Sequence, residues 1–141
     1  MGKKRIVKKG EEAAAGAAAP ARTGKRKLDA GVLYVEATYN NTKVCLADPQ
    51  GNVVTWSSAG SLGFAGAKKG TPFAAAKVGE VVGERAAGMG VKEVAVEVCG
   101  VGAGRESSIR AFATKGIHIN AIKDTTPVPH NGPRPPKPRR V

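Results

Sequence analysis

Three glycines, Gly100, Gly102 and Gly104, follow an apolar run and stand just before Arg105. A dinucleotide-binding turn has this character, because glycines let the backbone approach a pyrophosphate at a helix amino end. The full pattern fails here. Its third glycine would fall at position 105, which is arginine, and the acid that holds a ribose could only be Asp124. The turn amides can still accept a phosphate, and the flanking Arg105 and Arg110 suit an RNA phosphate better than a nucleotide. The plain alternative is a tight turn with two solvated arginines. A second stretch, GAKKGTP (66–72), carries Lys68 and Lys69 but no Gly-Lys-Ser/Thr triplet. No hydroxyl follows a phosphate-binding lysine to hold magnesium, so NTPase chemistry is not indicated.

Glu36, Asp48, Glu93, Glu97 and Asp124 would support nuclease chemistry only if they clustered around metal ions. Glu93 and Glu97 alternate with valines, as on any half-exposed strand, and no paired-carboxylate signature is visible. His118 and His130 have no Cys or His at metal-ligand spacing. His130 lies among prolines and arginines, where stacking or phosphate contact suits it. The expectation is a protein without catalysis, metal or cofactor.

What the chain does have is positive charge, unevenly spread. The net charge is +12 over 141 residues; residues 1–29 carry nine basic and three acidic groups, and residues 125–141 carry four basic and none acidic. Residues 30–124 hold ten basic against eight acidic. Charge that served solubility would be scattered over the domain, whereas charge on arms suits a polyanion. The final stretch, TTPVPHNGPRPPKPRRV, contains six of the nine prolines. Proline fixes φ and lacks a backbone donor, so an extended, polyproline-like segment is expected. Without an apolar face it needs a polyanion to lie on. Cys45 and Cys99 fall in apolar runs and read as buried thiols of a reducing compartment. No run reaches the ~18 apolar residues that cross a bilayer, and MGKKRIVKKGEEAAAGAAAPA makes a poor signal peptide. No membrane partner is expected.

The elements that must position these groups follow from periodicity. Residues 1–29 hold too few large apolar groups to offset ordering entropy and read as a basic, Ala-rich, disordered arm. That arm is equally a solubilising tail or an RNA contact. Order is expected from Gly31. VLYVEATY, TKVCLAD and VVTWSS read as three antiparallel strands. Asn40-Asn41 forms a type I′ link and Pro49–Asn52 a second turn. AGSLGFAGAKKG (59–70) reads as a glycine-rich loop. Thr71 then caps a helix with Pro72 at its first position. Its buried face is Ala74, Val78, Val81, Val82, Ala86 and Met89. Gly79 and Gly83 share a face, for close approach to the sheet, and Gly88 and Gly90 end the helix. VKEVAVEVC is a strand with Val94, Val96 and Val98 on one side. RESSIRAFATKG is a short helix with Ile109, Phe112 and Ala113 inward, and IHINAIKD is the fifth strand. The order βββαβαβ predicts an α/β fold with a mixed five-stranded sheet (30–124), its last two strands parallel, between extended basic tails (1–29 and 125–141).

YNNT (39–42), GFAGAKKGTPFAA (63–75), GAGRESSIRA (102–111) and DTTPVPHNGPRPPKPRRV (124–141) closely resemble the family of small-subunit ribosomal protein eleven, in its bacterial form. The resemblance spans nearly all of residues 31–141 in order and spacing, and PHNG followed by RPPK is its most specific part. It implies a ribonuclease-H-like fold without nuclease activity. It implies a cytoplasmic structural constituent of the small ribosomal subunit that supports assembly and translation. The implied place is the platform, near the messenger exit, on hairpins of the small-subunit ribosomal RNA and beside neighbouring ribosomal proteins. The RNA contacts it implies are Asn40, Asn41, Lys68, Lys69, Thr71, Arg105 and Arg110. From the tail it adds Thr125, Thr126, His130, Asn131, Arg134, Lys137, Arg139 and Arg140. The family usually has arginine where Ala65 stands, serine at Gly70 and cysteine at Pro133, so this chain has fewer phosphate contacts in the loop and a stiffer tail.

Asn131 precedes Gly132, which offers no side chain to hinder attack of its nitrogen on the Asn amide. Succinimide closure and reopening would leave isoaspartate at Asn131; the competing view is an ordinary turn residue. Two other functions remain to be separated from ribosomal RNA binding. A nucleotide-binding enzyme predicts a saturable mononucleotide site, and a general nucleic-acid chaperone predicts indifference to RNA fold.

Overall fold

The computed structural model describes residues 27–140; the reading of the arm before residue 27 lies outside them. The strands are β1 (Ala30–Ala37), β2 (Thr42–Ala47), β3 (Val53–Ser58), β4 (Glu93–Cys99) and β5 (His118–Asp124). The helices are α1 (Pro72–Gly88) and α2 (Gly104–Ala113). The sheet order is β3-β2-β1-β4-β5; β1 runs antiparallel to β2, β2 to β3, and β1, β4 and β5 run parallel. This is the mixed five-stranded sheet expected from the order of elements.

Alternation decides which face is buried. Val94, Val96 and Val98 are at most 3% exposed, and Leu33, Val35, Val44 and Leu46 join them under the helices. Phe112 of α2 is the largest fully buried side chain and closes this core. Strand residues pointing the other way, among them Tyr34, Glu36, Lys43, Cys45 and Trp56, are half or fully exposed. The described chain therefore has two layers, with one sheet face open. Both cysteines lie free on that face and are only half-buried, where full burial was expected. The reason is the missing third layer. Partial burial still pushes the Cys45 thiol up from its ordinary value.

Several local expectations need correction. Order does not wait for Gly31. Leu28 packs on the core, and the Asp29 carbonyl accepts the amides of Lys92 and Glu93. The β1–β2 turn is not type I′: among the described residues only Asn131 is a non-glycine with positive φ. Thr38 closes that turn instead. Its amide donates to the Asn41 carbonyl at 2.9 Å, and its hydroxyl accepts the Asn41 amide at 3.1 Å. A short hydroxyl side chain thus replaces the left-handed backbone. The 59–70 loop contains two 3₁₀ turns, Gly60–Leu62 and Gly66–Gly70. The Ser61 hydroxyl, bonded to the Ser58 amide and carbonyl, holds the first.

Helix α1 begins as expected, with the Thr71 hydroxyl accepting from the Ala74 amide. Ala75 is buried with Ala74, Val78, Val82 and Ala86, whereas Val81 and Met89 are only half-buried. The paired glycines do not meet the sheet. A Cβ on Gly79 would run into the Ser108 carbonyl of α2, and Gly83 lies under the stem of Lys115. The Lys115 ammonium then pairs with Glu84 at 2.9 Å. That contact holds the Glu84 carboxyl down and the Lys115 ammonium up from their ordinary values. On α2 the inward residues are Phe112 and Ser108, with Ile109 and Ala113 half-buried. Ser108 escapes an apolar pattern because its hydroxyl is satisfied by the Gly104 carbonyl at 2.8 Å.

Candidate nucleic-acid interface

Parallel strands share one carboxyl end, and the singled-out residues gather there. β1 ends at Ala37, β4 at Cys99 and β5 at Asp124, and α1 and α2 both start at this end. Helix amino ends carry partial positive charge and unpaired amides. Here they come with the β1–β2 turn (Asn40, Asn41), the lysine turn (Lys68, Lys69) and the loop 100–104.

Backbone contacts at glycine bring these loops together. A Cβ on Gly70 would overlap the Tyr39 carbonyl, so the lysine turn touches the β1–β2 turn directly. Gly100 and Gly102 lie as close to the carbonyls of Ala37 and Thr38, and the Gly102 amide donates to Ala37 at 2.9 Å. The glycines that resembled a dinucleotide turn thus serve packing of one loop on another. Asn41 Oδ1, Thr42 Oγ1 and Ser107 Oγ, also at this end, are buried without a partner within the described chain.

The candidate cations differ in freedom. Arg110 is 81% exposed in its side chain, but it stands in the last turn of α2 and does not flank the amino end as expected, and its Glu106 neighbour is 3.9 Å away. Lys68 is exposed, and Lys69 is half-buried with its stem along Gly60. The Thr71 hydroxyl is taken up in capping α1 and in a 2.6 Å bond to the Lys68 carbonyl. Arg105 is engaged inside the chain. Its guanidinium meets Asp124 at 2.6 Å and also donates to the Gly100 carbonyl and, at 3.3 Å, to Thr126. Periodicity put Arg105 off the buried face; it could not show Asp124 arriving from β5.

Asp124, Arg105 and Thr126 form a clasp where the sheet hands over to the tail. The Thr126 hydroxyl and amide both donate to Asp124, at 2.6 and 2.9 Å, and the Gly100 amide donates to Thr126. Thr125 bonds the Val98 carbonyl through its amide at 2.8 Å. Thr126 first, then Arg105, hold the Asp124 carboxyl down at about 2. Its stabilising contribution is present above the unfolded pKa of about 3.9 and disappears as pH falls toward about 2. Asp124→Asn should therefore melt below the parent at neutral pH. The gap should close between about pH 4 and pH 2, as thermal melts across that range would record.

Beyond the clasp, His130, Arg134, Lys137, Arg139 and Arg140 are exposed, and no helix or strand forms between residues 125 and 140. Asn131 stands at φ 55°, a left-handed turn. The carboxylates are dispersed. Asp48 caps the β2–β3 turn and is held low by Asn52, Glu36 pairs with Lys43, and Glu93 accepts from Asn120. Among the described residues no three His, Cys, Asp or Glu side chains could share a metal ion, and no helix is long and apolar enough to cross a membrane. Two exposed rings at this end, Tyr39 and Phe73, escaped the sequence reading. Phe73 precedes the first buried residue of α1, and that phase was the available signal.

The family model for ribosomal protein S11 matches residues 31–140. The small ribosomal subunit protein uS11 of Solibacter usitatus is 50% identical over 134 residues, covering 89% of this chain and 99% of that protein. Those of Synechococcus sp. and Synechococcus elongatus are each 52% identical over 120 residues, covering 85% of this chain and 92% of theirs. The matched span contains the lysine turn, the clasp and nearly all of the tail, and the chain belongs to the ribosomal protein S11 family, structural and non-enzymatic constituents of the small ribosomal subunit.

Proposed function

We propose that the carboxyl end of the sheet and the proline-rich tail form one continuous surface for small-subunit ribosomal RNA. The observation that carries this is the convergence of two helix amino ends with the exposed Lys68 at that end, while the exposed Arg110 extends the positive surface from the last turn of α2. The tail leaves from the same place. Residues 49–79 contain no acid, so phosphates meet no repulsion from that stretch. The place of this surface is the platform near the messenger path, beside neighbouring small-subunit proteins in the bacterial cytoplasm. Arg105 and Thr126 aim the tail, while Arg110, Lys68 and the tail cations meet phosphate. Tagged protein should sediment with small subunits and prefer their RNA hairpins over unrelated RNA. Equal binding to any RNA would favour the chaperone, and a saturable mononucleotide site would favour an enzyme.

The same reading makes Asn131 a modification site. Isoaspartate would lengthen the backbone at the left-handed turn before Gly132 and add a negative charge in the tail. A peptide map of ribosome-derived protein should show isoaspartate at 131 and unmodified Asn at 40, 41 and 52. Unmodified Asn131 throughout would leave it as a turn residue only.

A further inference from the structure

Lysines and arginines locate phosphates but do not distinguish paired from unpaired nucleotides. The rings at this end can. Tyr39, at the tip of the β1–β2 turn, is 77% exposed, and Phe73, in the first turn of α1, is 65% exposed. Most of each ring faces solvent. Both are nonetheless held on fixed supports. Phe73 meets Phe64 edge-to-face, with centroids 6.1 Å apart and planes at 82°, and Phe64 packs on the core. Lys77 Nζ stands 5.8 Å from the Phe73 ring centre, and Lys77 is paired at 3.0 Å with Glu80. Tyr39 is carried on the turn that Thr38 closes, and its backbone rests against Gly70. The segments bearing Tyr39, Lys68, Lys69 and Phe73 therefore meet at Gly70.

We propose that Tyr39 and Phe73 are a stacking platform for unpaired RNA bases, so that the RNA recognised at this end is a loop or bulge and not continuous duplex. The proposal rests on the RNA-binding reading above and deepens it. In duplex RNA the bases are already stacked on each other, whereas a splayed base gains an aromatic face. Trp56 and Tyr34 also expose rings, but they lie on the open sheet face, away from the loops at the carboxyl end.

The test uses the full chain with two RNAs, a small-subunit hairpin with an unpaired loop and a fully paired duplex of matched length. Tyr39→Leu and Phe73→Leu keep an apolar side chain and remove the π face. Each should weaken hairpin binding about 5- to 100-fold, leave duplex binding as in the parent, and leave the salt slope unchanged. Arg110→Ala should lower the salt slope by about 0.7–0.9 on the hairpin. Thermal melts show whether the leucine variants are folded. A 2-aminopurine placed in the loop should change its fluorescence on binding the parent and lose that change with the variants, which reads stacking directly. Hairpin affinity equal to the parent's in both leucine variants overturns the platform. So does equal weakening on hairpin and duplex. A parent that binds neither RNA overturns the RNA-binding reading itself, and the platform with it.

Discussion

Cutting the chain after Thr126 should lower the slope of log affinity against log salt by about three, because four tail cations each release about 0.7–0.9 counterion per phosphate contact. A fourfold rise in salt should then cost the parent roughly 60-fold more affinity than the truncated chain. The domain should survive the cut. Residues 127–140 are almost all exposed and belong to no helix or strand, while the bonds that finish the sheet stop at Thr125 and Thr126. Equal thermal midpoints with a flattened slope would separate the tail's work from the fold's. An unchanged slope would mean that the tail touches no phosphate.

The largest effect on stability is expected from Gly79→Val. Helix propensity alone favours any ordinary residue over glycine at an interior position, by up to about 1 kcal/mol. Here a Cβ would collide with the Ser108 carbonyl and stand 3.1 Å from its Cα, all backbone of α2. The helices would have to separate, and overpacking of this kind costs about 1–3 kcal/mol or more. Gly88 is the contrast, because a Cβ there meets nothing within 4 Å. Gly88→Ala should be neutral or stabilising by up to about 1 kcal/mol. Urea unfolding of both variants decides the matter: a Gly79 variant as stable as the parent would mean that the two helices do not rely on that contact.

Much of the fold was legible because it is written locally. Alternation at Val94, Val96 and Val98 set β4, and Thr71-Pro72 set the start of α1. The order of elements then limited the sheet to few arrangements. What stayed hidden was which distant group meets each residue. Two glycines four apart on a helix announce a close neighbour, but not whether it is the sheet or Ser108, 29 positions on from Gly79. Arg105 offered a free cation until Asp124 arrived from the far edge of the sheet. Asn40 and Asn41 suggested a left-handed turn, yet one hydroxyl on Thr38 gave the chain a cheaper closure. The cations at the carboxyl end were legible individually; their convergence needed the parallel strands to share an end.

The open sheet face has a practical consequence. Trp56 is the only tryptophan in the chain, and it stands 52% exposed on that face, remote from the packed side of the sheet. Its indole already meets water in the native state, so unfolding should shift its emission little. The same optical property makes it a reporter for association: whatever settles on the bare side of the sheet dries the indole and moves its emission to the blue, while loosening of the core beneath the helices passes almost unseen.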